Sequence, residues 1–284
     1  MKILFNKKFL DHNPGSFAEG PYRIEAFTEQ YQDTEHNGEE YITLVHSERH
    51  LDLVKNACSS QQVLAEVYLT PQTYEAAISA VGLSVLAAEQ GDFAIVRPPG
   101  HHAKFERADG FCLFNNMAIA TQKLVNEGKK VFILDFDGHH GDGTQWIFYK
   151  SDRVLYCSTH QQHTYPWTGE KDETGEGKGK GYTMNFPLPA GSGDDKFLEA
   201  VDESIRKAKE FKPDVVGVSA GFDAYEKDRL LNLNFSLEGY FQCGLKLGTH
   251  FEKVFALLEG GYHLEIKDCA EAFAKGVNDG YTRT

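Results

Sequence analysis

Cysteine is scarce in this chain of 284 residues: there are five, an odd number, and no C-x-x-C pair. That excludes a disulfide framework and a cysteine-built zinc finger. Long apolar runs are also missing, and the longest falls far short of a membrane span. The opening Met1-Lys2-Ile3-Leu4-Phe5 is broken at Lys7 and Lys8, too soon for a secretory signal. A cytoplasmic location with no membrane partner is the expectation. Basic residues are outnumbered, 29 Lys and Arg against 42 Asp and Glu, for a formal charge of −13. Direct nucleic-acid binding is not expected of that balance. The acidity serves solubility and would favour a cationic substrate. No linker rich in Pro, Gly or Ser divides the chain and no repeat has a fixed period, so residues 1–284 read as a single domain. The sequence leaves oligomerisation open.

What the chain does have is a set of short apolar runs, each followed by unusual polar residues. "FAIV" (Phe93–Val96), "VFIL" (Val131–Leu134), "VVGV" (Val215–Val218) and "VFALL" (Val254–Leu258) do not alternate with polar positions. Continuous runs of this kind fit strands buried on both faces of a parallel sheet. "KILF" near the start and "VLYCS" (Val154–Ser158) read as two more strands. Between them, "PQTYEAAISAVGLSVLAAEQG" reads as a helix opened by Pro71 and stopped by Gly91. "DDKFLEAVDESIRKAKEF" places Phe197, Val201, Ile205, Ala208 and Phe211 on one helical face, with acids early and lysines late. "SLEGYFQCGLKLGTHFEK" is a helix interrupted by Gly239, Gly244 and Gly248. The alternation of strand and helix points to an α/β domain, with a mostly parallel central sheet and helices on both faces.

In such sheets ligands gather at the carboxyl ends of the strands. Here those ends carry "RPPGHH" with His101 and His102, "DFDGHHGDG", "SAGFDA" with Asp223, and "EGGYH" with Tyr262. Asp137 and His139 are two apart, so on extended chain both face one point. Asp223 is the candidate third donor. Three N/O donors with an open fourth position suit catalytic zinc or another divalent metal, with Fe2+ a candidate in the cell. The alternative for Asp137 and His139 is an ion pair at a strand end. A metal hydrolase needs a base for its water and an acid for its leaving group. His101 and His102, on a stiff Pro-Pro-Gly turn, can serve if carboxylates hold their second nitrogens, and Asp135 and Asp142 are available. His140 reads as structural. Tyr262 on its two-glycine turn is placed to hydrogen-bond an oxyanion.

Two rival readings follow from the same residues. "GVSAG" (Gly217–Gly221) matches G-x-S-x-G and would make Ser219 the nucleophile of a serine hydrolase. An elbow should enter a helix at once, whereas "FDAYEKDRLLNLN" follows. The other rival is a binding module that uses the same residues without catalysis. Cys112 reads as a small buried core residue.

Taken together, "RPPGHHA", "GFCLFNNMAIA", "LDFDGHHGDGTQWIFY", "SAGFDA" and "LEGGYH", in this order, resemble the histone deacetylase superfamily, which includes acetylpolyamine amidohydrolases and bacterial deacetylase-like amidohydrolases. "AEGPYR" (Ala18–Arg23) resembles the family's opening motif more loosely. The resemblance implies an arginase-like α/β fold and Zn2+ on Asp137, His139 and Asp223. It implies His102, held by Asp142, as the main base and acid, and His101, paired with Asp135, as an electrostatic partner. Tyr262 would bind the carbonyl oxygen. Gly110, Phe111 and Tyr165 would wall a narrow tunnel, and Asp135 and Ser158 match a site for K+ or Na+. The implied substrate is an acetylated primary amine, as in acetyl-lysine or acetylpolyamine. Glu19 or Glu66 would meet a cationic substrate at the rim. The chain departs from the family at Gly138, where a bulkier residue is common, and at Arg229, where proline is frequent.

Overall fold

The computed structural model describes residues 1–15 and 18–283. Nine strands and eight α-helices are described: β1 (Ile3–Leu4), α1 (Lys8–Asp11), α2 (Glu48–Ser59), β2 (Val63–Leu64), β3 (Val67–Tyr68), α3 (Pro71–Gln90), β4 (Phe93–Ala94), α4 (Asn116–Asn126), β5 (Val131–Asp135), α5 (Asp142–Phe148), β6 (Val154–Gln161), β7 (Thr183–Leu188), α6 (Asp194–Phe211), β8 (Val215–Ala220), α7 (Leu237–His250), β9 (Val254–Leu258) and α8 (Ile266–Tyr281). Strands β2 and β3 form a separate antiparallel pair. The other seven make one sheet in the order β1-β4-β9-β8-β5-β6-β7, with every neighbouring pair parallel. Helices flank it: α3 packs on α4, while α6 packs on α7 and α7 on α8.

Burial explains why the strands read as they do. Every residue of β5, β8 and β9 is buried, because helices cover both faces of the centre. Strand β7, which the sequence reading did not recognise, lies at the sheet edge, where Pro187 is tolerated. Strand β4 is regular for only two residues, shorter than its apolar run. Helix α3 begins with a reciprocal Thr70–Thr73 cap and Pro71 in its first turn, and ends at Gly91 with φ 79°.

The glycines that weaken α7 as a sequence-read helix have a packing role. A Cβ on Gly244 would lie 2.2 Å from the Phe273 carbonyl oxygen, and one on Gly276 would lie 2.1 Å from that of Phe241. Helices α7 and α8 therefore approach backbone to backbone, and the intrinsic cost of glycine is offset by that contact. None of the described helices is long and apolar enough to cross a membrane.

Candidate active site

The sheet register sets the site. Asp135 ends β5 and lies level with Ser158 on β6 and Ser219 on β8. Beyond that line the chain leaves the sheet, and each strand end sends its polar residues to one edge. Asp137, His139 and Asp223 converge there, with one donor atom from each within 4.8 Å of the others. His139 Nδ1 is 2.6 Å from Asp223 Oδ2 and 3.3 Å from Asp137 Oδ1. Backbone amides fix the two carboxylates: Gly138 N–H donates to Asp223 Oδ1 at 2.6 Å, and Gly260 N–H to Asp137 Oδ2 at 2.7 Å. Glycine is required around them. A Cβ on Gly221 would sit 1.9 Å from Asp137 Oδ2, and one on Gly260 would sit 2.8 Å from Asp223 Oδ2.

This donor set fits a divalent metal. Two buried carboxylates and one imidazole face a common point, which is costly to bury without a cation. His139 is the half-buried member and lines a cavity of about 470 Å³. The three donors leave that side open, as a catalytic rather than a structural metal site requires.

Two histidine–carboxylate pairs stand beside the donors. The His101 and His102 rings are 4.0 Å apart. His101 Nδ1 is 3.3 Å from Asp135 Oδ2, and its Nε2 is 3.8 Å from Asp137 Oδ1. His102 Nδ1 is 2.8 Å from Asp142 Oδ1. Their electrostatics diverge. Burial opposes charge on His101, but Asp137 and Asp135 outweigh it and raise its pKa well above the usual histidine value. Burial, and then the neighbouring His101, hold His102 down to about 4 despite Asp142. A neutral His102 ring, which this lowering favours, would direct Nδ1–H at Asp142 and leave Nε2 as the proton acceptor.

The cavity is lined by His102, His139, Gly110, Phe111, Tyr165 and Tyr262 among others, so the expected tunnel residues do meet there. A Cβ on Gly110 would strike His102 Cδ2 at 2.5 Å, so that wall must be bare backbone. Tyr165 stacks edge-on against His102 at 5.1 Å, and its hydroxyl donates to Asp109 at 2.9 Å. The Tyr262 ring is 6.1 Å from that of Phe111. Burial first, then the carboxylates of Asp223 and Asp137 against the opposing pull of Arg23, pushes the Tyr262 hydroxyl well above its usual pKa, so it stays a donor.

Some expectations are revised. Glu19 is not at the rim. It is wholly buried, with Oε1 2.7 Å from Arg97 Nε and 2.9 Å from Arg23 NH1. Glu66 does line the cavity and accepts the Gly110 N–H at 3.0 Å. His140 is buried, between Thr168 and Gln145, as a structural residue should be. Ser219 lies inside β8, fully buried, and its hydroxyl donates to Glu259 Oε1 at 3.4 Å. The chain after it reaches Asp223 through turns and enters no helix before α7, which is not the geometry of a serine nucleophile. Cys112 is buried.

The sequence reading missed the residues that hold the loops. Glu259 Oε2 accepts the N–H groups of Gly100 and His101 at 2.7 and 3.1 Å, pinning the histidine turn. Arg23 donates to the carbonyls of Glu259 and Gly261 at 2.6 and 2.5 Å and lies 4.9 Å from the Tyr262 ring centre. Asp228 accepts the Tyr262 N–H at 2.6 Å. The only signal for Glu259 was its place directly after a buried strand.

A parallel sheet that gathers three metal-type donors and two carboxylate-held histidines at one edge defines a class of α/β proteins with a candidate metal site at the strand ends. The chain belongs to the histone deacetylase family: residues 19–277 match the family model of the histone deacetylase domain. It is 44% identical over 206 residues to a probable deacetylase of Archaeoglobus fulgidus, covering 68% of this chain and 57% of that protein's length. The structure of the HDA15 HD domain superposes with a TM-score of 0.89 at 31% identity, covering 99% of this chain and 95% of that one. That of acetylpolyamine aminohydrolase from Burkholderia pseudomallei gives 0.87 at 27% identity, covering 99% of each.

Proposed function

We propose that this chain is a zinc-dependent amidohydrolase that removes an acetyl group from a primary amine, as in acetyl-lysine or acetylpolyamine. The observation that carries the reading is the meeting of the Asp137–His139–Asp223 donor set with the His102–Asp142 pair on a cavity that Tyr262 also lines. Those three donors would hold Zn2+, or Fe2+ in the cell. The cation, when bound, supplies Lewis-acid polarisation and a lowered water pKa.

The rest is done by side chains. His102 accepts the proton of the attacking water at Nε2, since Nδ1 is committed to Asp142, and returns it to the leaving amine. Tyr262 donates its hydroxyl to the developing oxyanion. His101, held by Asp135, contributes positive charge beside it. Gly110, Phe111 and Tyr165 enclose the substrate's aliphatic arm, and Glu66 meets its outer end. K+ or Na+ would sit beside Asp135 and Ser158, which the sheet register places side by side. The five free, buried cysteines suit a reducing compartment such as the cytoplasm.

The test is acetate release from acetyl-lysine peptides and acetylpolyamines by metal-stripped and zinc-reloaded protein. Activity should vanish with the metal and return with zinc. Full turnover by the stripped protein would overturn the proposal.

A further inference from the structure

The two histidine–carboxylate pairs differ in what holds the carboxylate. Asp135 is enclosed by groups that carry no fixed charge of their own: the Tyr156 hydroxyl donates to Oδ2 at 3.1 Å and the Asp137 N–H to Oδ1 at 3.2 Å, alongside His101. Asp142 gives Oδ1 to His102 and Oδ2 to a cation, Lys104 Nζ, at 2.5 Å. The Asp142 side chain is 7% exposed and that of Lys104 25%. Lys104 reaches it from the outside, through a second cavity of about 340 Å³ whose lining, including Gln145, Trp146 and Tyr149, shares no residue with the first.

The main chain at Lys104 is held without help from its side chain. Lys104 N–H donates to the Arg107 carbonyl at 2.8 Å, and the Lys104 carbonyl accepts from His46 Nδ1 at 3.0 Å. The turn thus sets where the lysine side chain starts, and its ammonium ends on Asp142 Oδ2. A largely buried carboxylate with only an imidazole partner keeps one oxygen in need of a donor. Without Lys104, water entering the second cavity would take that oxygen, the carboxylate could rotate, and the imidazole it orients would lose its fixed tautomer and direction.

We propose that Lys104 is a positioning residue for the hydrolytic reaction: its ammonium fixes the Asp142 carboxylate and, through it, the orientation and tautomer of His102. The inference rests on the reading of His102 as the proton-transfer group. Among the described residues no lysine or arginine pairs with Asp135, so the lysine device belongs to one histidine of the pair.

The experiment compares Lys104→Met and Lys104→Arg with the parent protein, all zinc-loaded. Lys104→Met should lower kcat by about tenfold or more with KM unchanged, and Lys104→Arg should recover most of the loss. A purely structural lysine would instead lower the melting temperature and leave kcat per folded molecule intact. Equal losses in both variants, a change confined to KM, or an unchanged kcat overturns the proposal. An independent readout needs no turnover. In 15N-histidine-labelled protein, the His102 Nδ1–H resonance, identified by its absence in His102→Gln, should broaden or move upfield in Lys104→Met and return in Lys104→Arg. An unmoved resonance overturns the positioning role. A protein inactive on every acetylated amine, yet showing the shift, would overturn the deacetylase reading, and with it the catalytic role of Lys104, while leaving only the orientation of His102 by Lys104 standing.

Discussion

His101 and His102 are chain neighbours with similar partners and opposite electrostatics. His101 faces two carboxylates, which raise its pKa, while burial and then the neighbouring His101 lower the pKa of His102 against its one carboxylate. Identical side chains become unlike because burial magnifies the nearest charges. The first is suited to hold positive charge still, the second to exchange a proton. On the proposed mechanism two adjacent histidines would do two jobs, separated by Asp137 beside the first and by the first histidine beside the second.

Substitutions can break that asymmetry at graded cost. His102→Ala should lose about 10³-fold or more in turnover while retaining zinc, read by acetate release against metal content; an unchanged rate would remove His102 from proton transfer. Asp135→Asn strands a buried, charge-prone imidazole and should cost about 3 kcal/mol of stability by denaturant unfolding. Asp142→Asn, which also frees the partly exposed Lys104 to turn to water, should cost less stability and lower kcat about 100-fold, because the amide no longer fixes the His102 tautomer. If Asp135→Asn and Asp142→Asn shift stability and rate in the same proportions, the two pairs are not functionally distinct.

Another pair of stacked histidines sharpens the contrast by having no carboxylate in its stack. His46 and His50 stack at 4.8 Å, and His46 Nε2 accepts the Asn115 N–H at 2.9 Å, which requires a neutral ring. Burial and then His50 lower the pKa of His46 to about 3, and burial lowers that of His50. Because these values lie below the unfolded one, near 6.5, the unfolded chain takes up protons first. Their contribution is complete above about pH 6.5 and is lost on acidification toward the folded value, at up to about 1.4 kcal/mol per pH unit per histidine. The melting temperature should fall below pH 6.5, and His46→Gln should flatten the slope; an unaltered slope would show that His46 is not buried neutral.

Much of this was legible in the sequence because buried parallel strands leave continuous apolar runs. β5, β8 and β9 follow from that, whereas Asp137 and His139 converge on a bend just past β5, where His139 N–H donates to Asp137 Oδ1, and not on extended chain. Edge strand β7 was not legible, since half-burial and Pro187 erase the apolar run. Nor were the holding residues. Glu19 and Glu66 are alike as letters, and only the folding of Arg97 onto Glu19, 78 positions away, buries one and leaves the other at the cavity. Lys104 reads as a surface cation until Asp142 is placed beside it. The α7–α8 glycines signalled weakness because helix propensity is a local quantity, whereas their use depends on a partner helix.

Strand β9 lies between β4 and β8, yet it is the last strand in the chain. Until it is made, the sheet exists as two unjoined parts, one leading to His101 and His102, the other bearing Asp137, His139 and Asp223. Its insertion brings the parts together and delivers Glu259 and Tyr262 in the same event. The two parts of the candidate site are thus joined through one strand, so a defect in the pairing of β9 with either neighbour would separate the histidine turn from the Asp137, His139 and Asp223 donors.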